Sequence, residues 1–158
     1  MASEMTHHTT SVNGIKVHYV RAGEGPPVLL LHGFPETWYA WRKQIPVLAE
    51  KYTVIAPDLR GYGETDKPTS GYDKRTMATD ARELMRSLGY SKIALVGHDR
   101  GARVGTRFAK DFRDDIDRLV VMDNIPTRVV FTSTDAVLAK KYWFFFFNQV
   151  PDLPEALI

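Results

Sequence analysis

Gly97-His98-Asp99-Arg100-Gly101 is the stretch that decides the fold predicted for this chain. The apolar residues before it, 92–96, indicate a buried strand, and residues 100–112 have the periodicity of a helix. Glycines on both sides allow a sharp strand-to-helix turn with a strained backbone at its centre. Such a turn presents Asp99 above the sheet, at the positive end of the helix dipole. We therefore predict that Asp99 is a nucleophile held on a strand–turn–helix elbow.

An aspartate at this position predicts a particular chemistry. A carboxylate displaces a leaving group from saturated carbon and gives an ester that water can cleave. A serine would give an ether there, which water does not readily hydrolyse. The alternative is that Asp99 only caps the following helix, because aspartate is a favoured N-cap residue. We favour the nucleophile because a strand, a helix and an upstream His-Gly loop complete the elbow.

Cleavage of the ester requires hydrogen-bond donors for the negative oxygen that forms. The elbow motif predicts the backbone N–H of Arg100 as one donor of this oxyanion hole. The loop His32-Gly33-Phe34-Pro35 follows an apolar run at 27–31 and supplies the backbone N–H of Phe34 as the other donor. The alternative for this loop is an ordinary turn at the end of a strand. The spacing between this loop and the elbow favours its role as a donor to the oxyanion.

The rest of the chain predicts an α/β fold. Asn13-Gly14 is a strong hairpin signal, and the strands and helices after it alternate, which indicates a mostly parallel sheet with helices on both faces. The continuous apolar run at 27–31 is typical of a strand covered on both sides. Strands are expected at 9–14, 15–21, 27–31, 52–56, 92–96 and 118–122, and helices at 38–50, 76–88, 100–112 and 129–148.

Two further stretches carry a family resemblance. His32-Gly33-Phe34-Pro35-Glu36-Thr37-Trp38-Tyr39 and Asp58-Leu59-Arg60-Gly61-Tyr62-Gly63 resemble the α/β-hydrolase group that contains epoxide hydrolases and dehalogenases. Epoxide hydrolases usually have Trp after the nucleophile, whereas Gly97-His98-Asp99-Arg100-Gly101-Ala102-Arg103 resembles the haloacetate (fluoroacetate) dehalogenases. The resemblance implies an α/β-hydrolase fold and a covalent ester on the aspartate.

The resemblance also implies that two arginines bind the substrate. In the haloacetate dehalogenases both hold the substrate carboxylate, and the matching positions here are Arg100 and Arg103. Arg103 lies four residues after Asp99, so the two share one side of the elbow helix. The planar guanidinium group suits a carboxylate. The alternative is a solvated helix face, and it fits Arg107, which matches no motif.

The stretch Val121-Met122-Asp123-Asn124-Ile125-Pro126-Thr127 is similar to the dehalogenases as well. That family carries its catalytic acid at the end of this strand, which implies that Asp123 orients the catalytic histidine. Epoxide hydrolases usually place this acid one strand later. The alternative is that Asp123 is an ordinary aspartate at a strand end.

The resembling family places its general-base histidine after a helical cap, near the end of the fold. None of the five histidines here suits that role. They are assigned to a polar tail, the opening hairpin, the oxyanion loop and the position beside the nucleophile: His7 and His8, His18, His32 and His98. We therefore expect the N-terminal part of a hydrolase core at 1–127 and the start of a cap at 128–158, in a chain that is inactive alone.

The halide site of the resembling family is a His-Trp pair just after a Tyr-Trp in the first cap helix. Here Tyr142-Trp143 is followed by Phe144-Phe145. The resemblance implies that Trp143, Phe144 and Phe145 contact the substrate. Phenylalanine has no hydrogen-bond donor for a departing fluoride, so we expect chlorinated or brominated acids, or an epoxide, to be preferred over fluoroacetate.

The composition is that of an ordinary globular protein, with 44% hydrophobic and 25% charged residues and a net charge of +2. Scattered lysines and arginines argue against a nucleic-acid partner. No apolar run reaches the roughly 18 residues of a membrane span. The start lacks the apolar core of a secretory signal, so a cytoplasmic location is expected. The expected partners are a small-molecule substrate and water, with no metal or cofactor, and the sequence is compatible with a homodimer.

The leading hypothesis is therefore a haloacid dehalogenase with an aspartate nucleophile. The first alternative is an epoxide hydrolase, in which a cap tyrosine would protonate the opening ring. The second is of another class, a non-catalytic protein or an inactive fragment on the same scaffold, and it is favoured by the missing base.

Overall fold

The computed structural model describes residues 4–157, and within this range six strands form one sheet. The strands are β1 (Thr6–Val12), β2 (Ile15–Ala22), β3 (Pro27–Leu31), β4 (Thr53–Pro57), β5 (Ile93–His98) and β6 (Ile116–Met122). Their order in the sheet is β1-β2-β4-β3-β5-β6. The β1–β2 and β2–β4 pairs are antiparallel, and the other three pairs are parallel. This mostly parallel sheet confirms the predicted α/β fold.

The opening hairpin forms around the predicted turn but is longer than expected. Asn13 and Gly14 both have positive φ, 47° and 78°, and connect β1 to β2. His7 and His8 lie in β1, where they pair with Val20 and Tyr19. Their assignment to a polar tail was therefore wrong. The polar side chains gave no strand periodicity, and the pairing partner that orders β1 lies in another segment.

Helices cover both faces of the sheet. Strand β3 is buried on both sides: Leu29 and Leu31 belong to one apolar cluster and Val28 and Leu30 to the other. The first cluster includes side chains of the long helices α2 (Lys74–Ser87) and α3 (Arg100–Asp111), and the second includes those of the shorter helix α1 (Gln44–Leu48). Coverage on both faces confirms the prediction from the apolar run.

The segment 38–50 is not the single helix that was predicted. It contains a 3₁₀ helix, Trp38–Trp41, and then α1, Gln44–Leu48. Pro46 lacks the N–H of a helix interior and is tolerated only in the first turn. The α-helix therefore starts close before Pro46, although Trp41 and Ile45 remain buried as the apolar spacing predicted.

Helix α2 begins before its expected start because Asp73 caps it. The Asp73 carboxylate accepts hydrogen bonds from the backbone N–H groups of Arg75 and Thr76. It also accepts one from the hydroxyl of Thr76 at 2.6 Å. These bonds and the charge–dipole interaction lower the pKa of Asp73, with the Thr76 hydroxyl contributing most.

The described chain divides into two compact units, one ending at Asn124 and one beginning at Ile125. The predicted helix at 129–148 is interrupted, because Asp135 starts a new helix by accepting a hydrogen bond from the N–H of Leu138. The second unit contains α4 (Thr127–Thr132), α5 (Ala136–Lys141), α6 (Trp143–Phe147) and α7 (Leu153–Leu157). No helix in residues 4–157 is long and apolar enough to cross a membrane.

In the first unit, β6 lies at the end of the sheet, next to β5. Its last four residues, Leu119 to Met122, are apolar and between 36% and 48% exposed. The strand therefore forms an edge that is apolar along more than half its length.

Candidate active site

The backbone at Asp99 has the geometry expected of a strained elbow. Asp99 has φ 45° and ψ −108°, which is rarely adopted by residues other than glycine. Its N–H donates to the carbonyl of Met122 in β6, and its own carbonyl accepts the N–H of Arg103. The Asp99 side chain makes no capping hydrogen bond to α3. The alternative that Asp99 is only a helix cap is therefore wrong.

Glycines are required on both sides of this turn because the backbone passes so close to its neighbours. A Cβ at Gly97 would lie 2.5 Å from the carbonyl oxygen of Gly101. A Cβ at Gly101 would lie 2.2 Å from the carbonyl oxygen of Leu31 in β3. The small residues thus bring the start of α3 against the end of β3, and with it Asp99 against the loop that follows β3.

That loop contacts the carboxylate of Asp99 directly. The backbone N–H of Phe34 donates to Asp99 Oδ2 at 2.9 Å. The N–H of Arg100 belongs to the first residue of α3, where amides have no acceptor within the helix. A Cβ at Gly33 would lie 2.8 Å from Asp99 Cβ, which explains a glycine there. The geometry brings together the two predicted oxyanion donors and the predicted nucleophile.

His32 supports the loop and is not available for proton transfer. It is fully buried, its Nε2 accepts the N–H of Leu59, and its Nδ1 therefore donates to the carbonyl of Gly33. Burial lowers the pKa of His32, although the hydrogen bond to Gly33 acts in the opposite direction. The ring is neutral and holds two loops together.

Cationic and aromatic groups surround Asp99. The guanidinium group of Arg100 lies over the rings of Phe34 and Tyr62, 5.8 Å and 5.9 Å from their centroids. Burial raises the pKa of Tyr62, and the charge of Arg100 partly offsets this effect. Arg103 is half-buried in α3, one turn after Asp99. The two arginines predicted to bind a carboxylate therefore lie in the first turn of α3, next to Asp99.

Lys74 is a third cation of this region, and the sequence analysis did not identify it. Burial, together with the charges of Arg100 and Arg103, lowers its pKa from 10.5 to about 8. The negative charge of Asp99 raises the pKa of Lys74, so the ammonium group interacts electrostatically with Asp99 as well. Lys74 is the first residue of α2, and no spacing in the sequence relates it to the elbow.

Replacing Lys74 should stabilise the protein near neutral pH. Below pH 8 the ammonium group is charged in both states, so the folded state carries the full penalty for burying it. Between pH 8 and 10.5 the unfolded state binds more protons, and stability rises with pH. We expect Lys74→Met to raise Tm by a few degrees at about pH 7 and by less near pH 10. Thermal melts at both pH values test this, with the exposed Lys92→Met as control. An equal effect of both changes would contradict it.

Asp123 lies beside His98, the residue that precedes Asp99. Asp123 has φ 46°, its side chain is 91% exposed, and its Oδ2 is 3.8 Å from Nε2 of His98. The other ring nitrogen of His98 contacts Glu36 Oε2 at 3.1 Å, and the same oxygen accepts the N–H of Gly33 at 2.7 Å. Glu36, which the sequence analysis did not single out, thus connects the oxyanion loop to the elbow. That Asp123 orients a catalytic histidine remains a prediction.

The three predicted cap residues lie in α6, in the second unit. Trp143 and Phe144 are 59% and 40% exposed, and Phe145 is partly buried. Their rings pack against one another and against Phe147, with centroids 4.7 Å apart for Phe144 and Phe145 and 5.6 Å for Trp143 and Phe147. Substrate contact by these residues remains a prediction.

The fold and the strand–turn–helix elbow define a hydrolase of the α/β class. A family model described as "alpha/beta hydrolase fold" matches residues 26–155 of the chain. The protein belongs to this family. The match includes the oxyanion loop, the elbow and most of the second unit.

Curated relatives carry two activities in their names. The soluble epoxide hydrolase of Corynebacterium sp. (strain C12) is 56% identical over 126 residues, which are 80% of this chain and 44% of that protein. The fluoroacetate dehalogenase of Burkholderia sp. is 46% identical over 153 residues, which are 93% of this chain and 50% of that protein. The chain thus spans about half the length of these relatives.

A solved structure similar to this chain is also named an epoxide hydrolase. The epoxide hydrolase CorEH, determined without ligand, superposes with a TM-score of 0.93 at 50% sequence identity. The superposition covers 98% of this chain and 56% of the other.

Proposed function

We propose that the enzyme carrying this sequence hydrolyses a bond at saturated carbon through a covalent ester on Asp99. The observation that carries the proposal is the contact between the Phe34 N–H and the Asp99 carboxylate at 2.9 Å, at an aspartate whose φ is 45°. A carboxylate on a strained backbone turn, facing a backbone N–H donor, is suited to attack a bound substrate. The same donor can later stabilise the oxyanion that forms on the ester.

In the first step, one Asp99 oxygen forms a bond to the substrate carbon as the bond from that carbon to the leaving group breaks. The leaving group departs with the electron pair, as halide or as the alkoxide of an opened epoxide. In the second step, water attacks the carbonyl carbon of the ester. The oxyanion that forms there accepts hydrogen bonds from Phe34 and Arg100, and its collapse releases an alcohol and restores the carboxylate.

Water in the second step needs a base, and the five histidines of the chain are engaged elsewhere. His32 donates to the carbonyl of Gly33, His98 contacts Glu36, and His7 and His18 contact each other. His8 contacts the hydroxyl of Thr6 in β1. We therefore do not assign the base to any of these histidines.

An epoxide is the first candidate substrate. The relative with higher identity is named a soluble epoxide hydrolase, and a solved epoxide hydrolase superposes over nearly the whole chain. An epoxide is a neutral electrophile with its leaving group in the ring, so it needs no halide site.

A haloacid is the second candidate, and the cations favour it. The charges of Arg100, Arg103 and Asp99 all act on the pKa of Lys74. The three cations therefore lie in the same region as the Asp99 carboxylate. These three cations could hold the carboxylate of a substrate. A similar protein is also named a fluoroacetate dehalogenase. Phe144 and Phe145 offer no donor to fluoride, so a chloro- or bromo-acid is the better match.

Alkylation of the 158-residue chain tests the nucleophile. We expect bromoacetate to add one carboxymethyl group, on Asp99, and then to react no further, because hydrolysis of the ester needs a base and each of the five histidines is held by another contact. Peptide mass spectrometry locates the adduct, and the Asp99→Asn chain should carry none. Release of many equivalents of bromide per chain would mean that a residue described here acts as base, and an adduct confined to other residues would contradict the proposal.

Replacing Arg103 distinguishes the two substrate classes. In an enzyme of the relatives' length, we expect Arg103→Leu to lower kcat/KM for haloacids by about 10- to 100-fold, from the loss of a charge-assisted contact of roughly 1.5–3 kcal/mol. A neutral epoxide should be much less affected. The matched control is Arg107→Leu on the same helix, where the guanidinium is paired with Asp111 at 2.7 Å. Equal losses for both substrates would show that Arg103 does not bind the carboxylate.

A further inference from the structure

A cluster of potential metal ligands lies where the opening hairpin meets the loop after β4. His7 is in β1, His18 is in β2, and Glu64 is in the loop. The nitrogen and oxygen atoms that each could offer to a cation lie within 4.8 Å of one another. Nδ1 of His7 and Nε2 of His18 are only 3.0 Å apart. We call these three residues the histidine cluster.

A buried carboxylate holds the histidine cluster in place. Asp58 Oδ2 accepts a hydrogen bond from Nδ1 of His18 at 2.8 Å, and both side chains are at most 2% exposed. The same oxygen accepts the backbone N–H of Glu64 at 3.0 Å. Asp58 Oδ1 accepts the N–H of Trp38 at 2.8 Å. One carboxylate therefore fixes two of the three residues of the cluster.

The contact with Asp58 also decides which nitrogen of His18 faces the cluster. An ionised carboxylate only accepts hydrogen bonds, so Nδ1 of His18 carries the proton. Its Nε2 then has a lone pair, which faces Nδ1 of His7. A histidine that donates one ring nitrogen to a carboxylate and presents the other is the usual arrangement of a metal-binding histidine.

We propose that His7, His18 and Glu64 bind a divalent cation of the zinc class, with Asp58 as the supporting acceptor. Zinc binds imidazole nitrogen at about 2.0–2.1 Å, which puts two such nitrogens roughly 3.3 Å apart in a tetrahedral site. In the structure Nδ1 of His7 donates a hydrogen bond to Nε2 of His18 at 3.0 Å. The cation would take the place of this proton, and the two nitrogens would move apart by a few tenths of an ångström. His7 and Glu64 are exposed, so both side chains can adjust, and water completes the coordination.

The donor set determines the kind of ion. Two imidazoles and one carboxylate suit zinc, nickel, cobalt or copper, whereas magnesium and calcium prefer oxygen alone. The cation would join the edge strand β1 to the loop after β4, two segments more than 50 residues apart in sequence. Its effect is therefore on the stability of the hairpin, and no step at Asp99 depends on it.

Zinc titration of the full chain tests the site, with His8 as the internal control. His8 neighbours His7 in β1, and its ring stacks on Tyr19 while that of His7 stacks on His18. We expect calorimetry to give one zinc bound per chain with micromolar affinity, and Tm to rise with zinc. His7→Gln and Glu64→Gln should each weaken binding by about tenfold or more, whereas His8→Gln should leave it unchanged.

Cobalt provides a spectroscopic measurement that does not depend on stability. Bound Co²⁺ should give visible absorption bands of a four- or five-coordinate ion, and these should disappear in His7→Gln, an exposed change compatible with folding. Circular dichroism of each apo variant verifies that the fold is kept. Absence of zinc binding by the folded chain would overturn the proposal, and so would equal losses in His7→Gln and His8→Gln.

Discussion

Asp99→Asn is expected to abolish turnover while leaving the protein folded. The two side chains are nearly isosteric, and the elbow backbone, with φ 45° at this residue, does not depend on the carboxylate charge. An amide is a far weaker nucleophile than a carboxylate, so formation of the ester stops. In an enzyme of the relatives' length we expect kcat to fall by at least about 10³-fold, which corresponds to about 4 kcal/mol.

The measurement is single-turnover kinetics with an epoxide and with a bromo-acid, on protein shown by circular dichroism to be folded. Mass spectrometry must verify that the new amide has not been hydrolysed back to the acid, which would restore activity slowly. The matched control is Asp123→Asn, for which we expect ester formation to continue, because this residue is assigned to the second step. Activity of Asp99→Asn within about tenfold of the parent, about 1.4 kcal/mol, would exclude Asp99 as the nucleophile.

Gly101→Ala is expected to destabilise the fold strongly, although alanine is the better helix former. A Cβ at this position would lie 2.2 Å from the carbonyl oxygen of Leu31 and 2.7 Å from that of His32. Both obstacles are backbone atoms at the end of a central strand, so the start of α3 must move away from the sheet. We expect a loss of about 3 kcal/mol or more in the free energy of unfolding, larger than the roughly 1 kcal/mol gained from helix propensity.

Gly105→Ala is the matched control, one turn later in the same helix. There a Cβ would meet Cδ2 of Leu95 at 2.6 Å, the end of a flexible side chain that can rotate. We expect this change to cost about 1 kcal/mol or less once helix propensity is included. Urea unfolding of the two variants gives the comparison. Similar stabilities for both would contradict the backbone contact between α3 and β3.

The parts of this structure that could be predicted from sequence are those set by local patterns. The apolar run of β3, the Asn13-Gly14 turn and the glycines around Asp99 each fix their own segment, and all three were found. The elbow also implied the position of Phe34, because the loop after β3 must lie beside it. The contact at 2.9 Å agrees with that expectation.

The parts that could not be predicted depend on contacts between distant segments. The first residues of β1, from Thr6, are ordered by pairing with β2, so their polar sequence gave no sign that the strand begins there. Lys74 reaches the surroundings of Asp99 only because α2 and α3 pack together. Asp58 was identified as part of a family motif, but its bonds to β2, to the 3₁₀ helix and to Glu64 could not be read from spacing.

The apolar edge at β6 has a consequence for handling the purified chain. Among the described residues β6 pairs with β5 alone, and its four exposed apolar residues in a row form a template on which another copy can add a strand. Charges at Asp117 and Arg118 protect only the beginning of this strand. Colloidal stability of the 158-residue chain should therefore decline with concentration, and a lysine in place of Val121 would act as a gatekeeper against self-association.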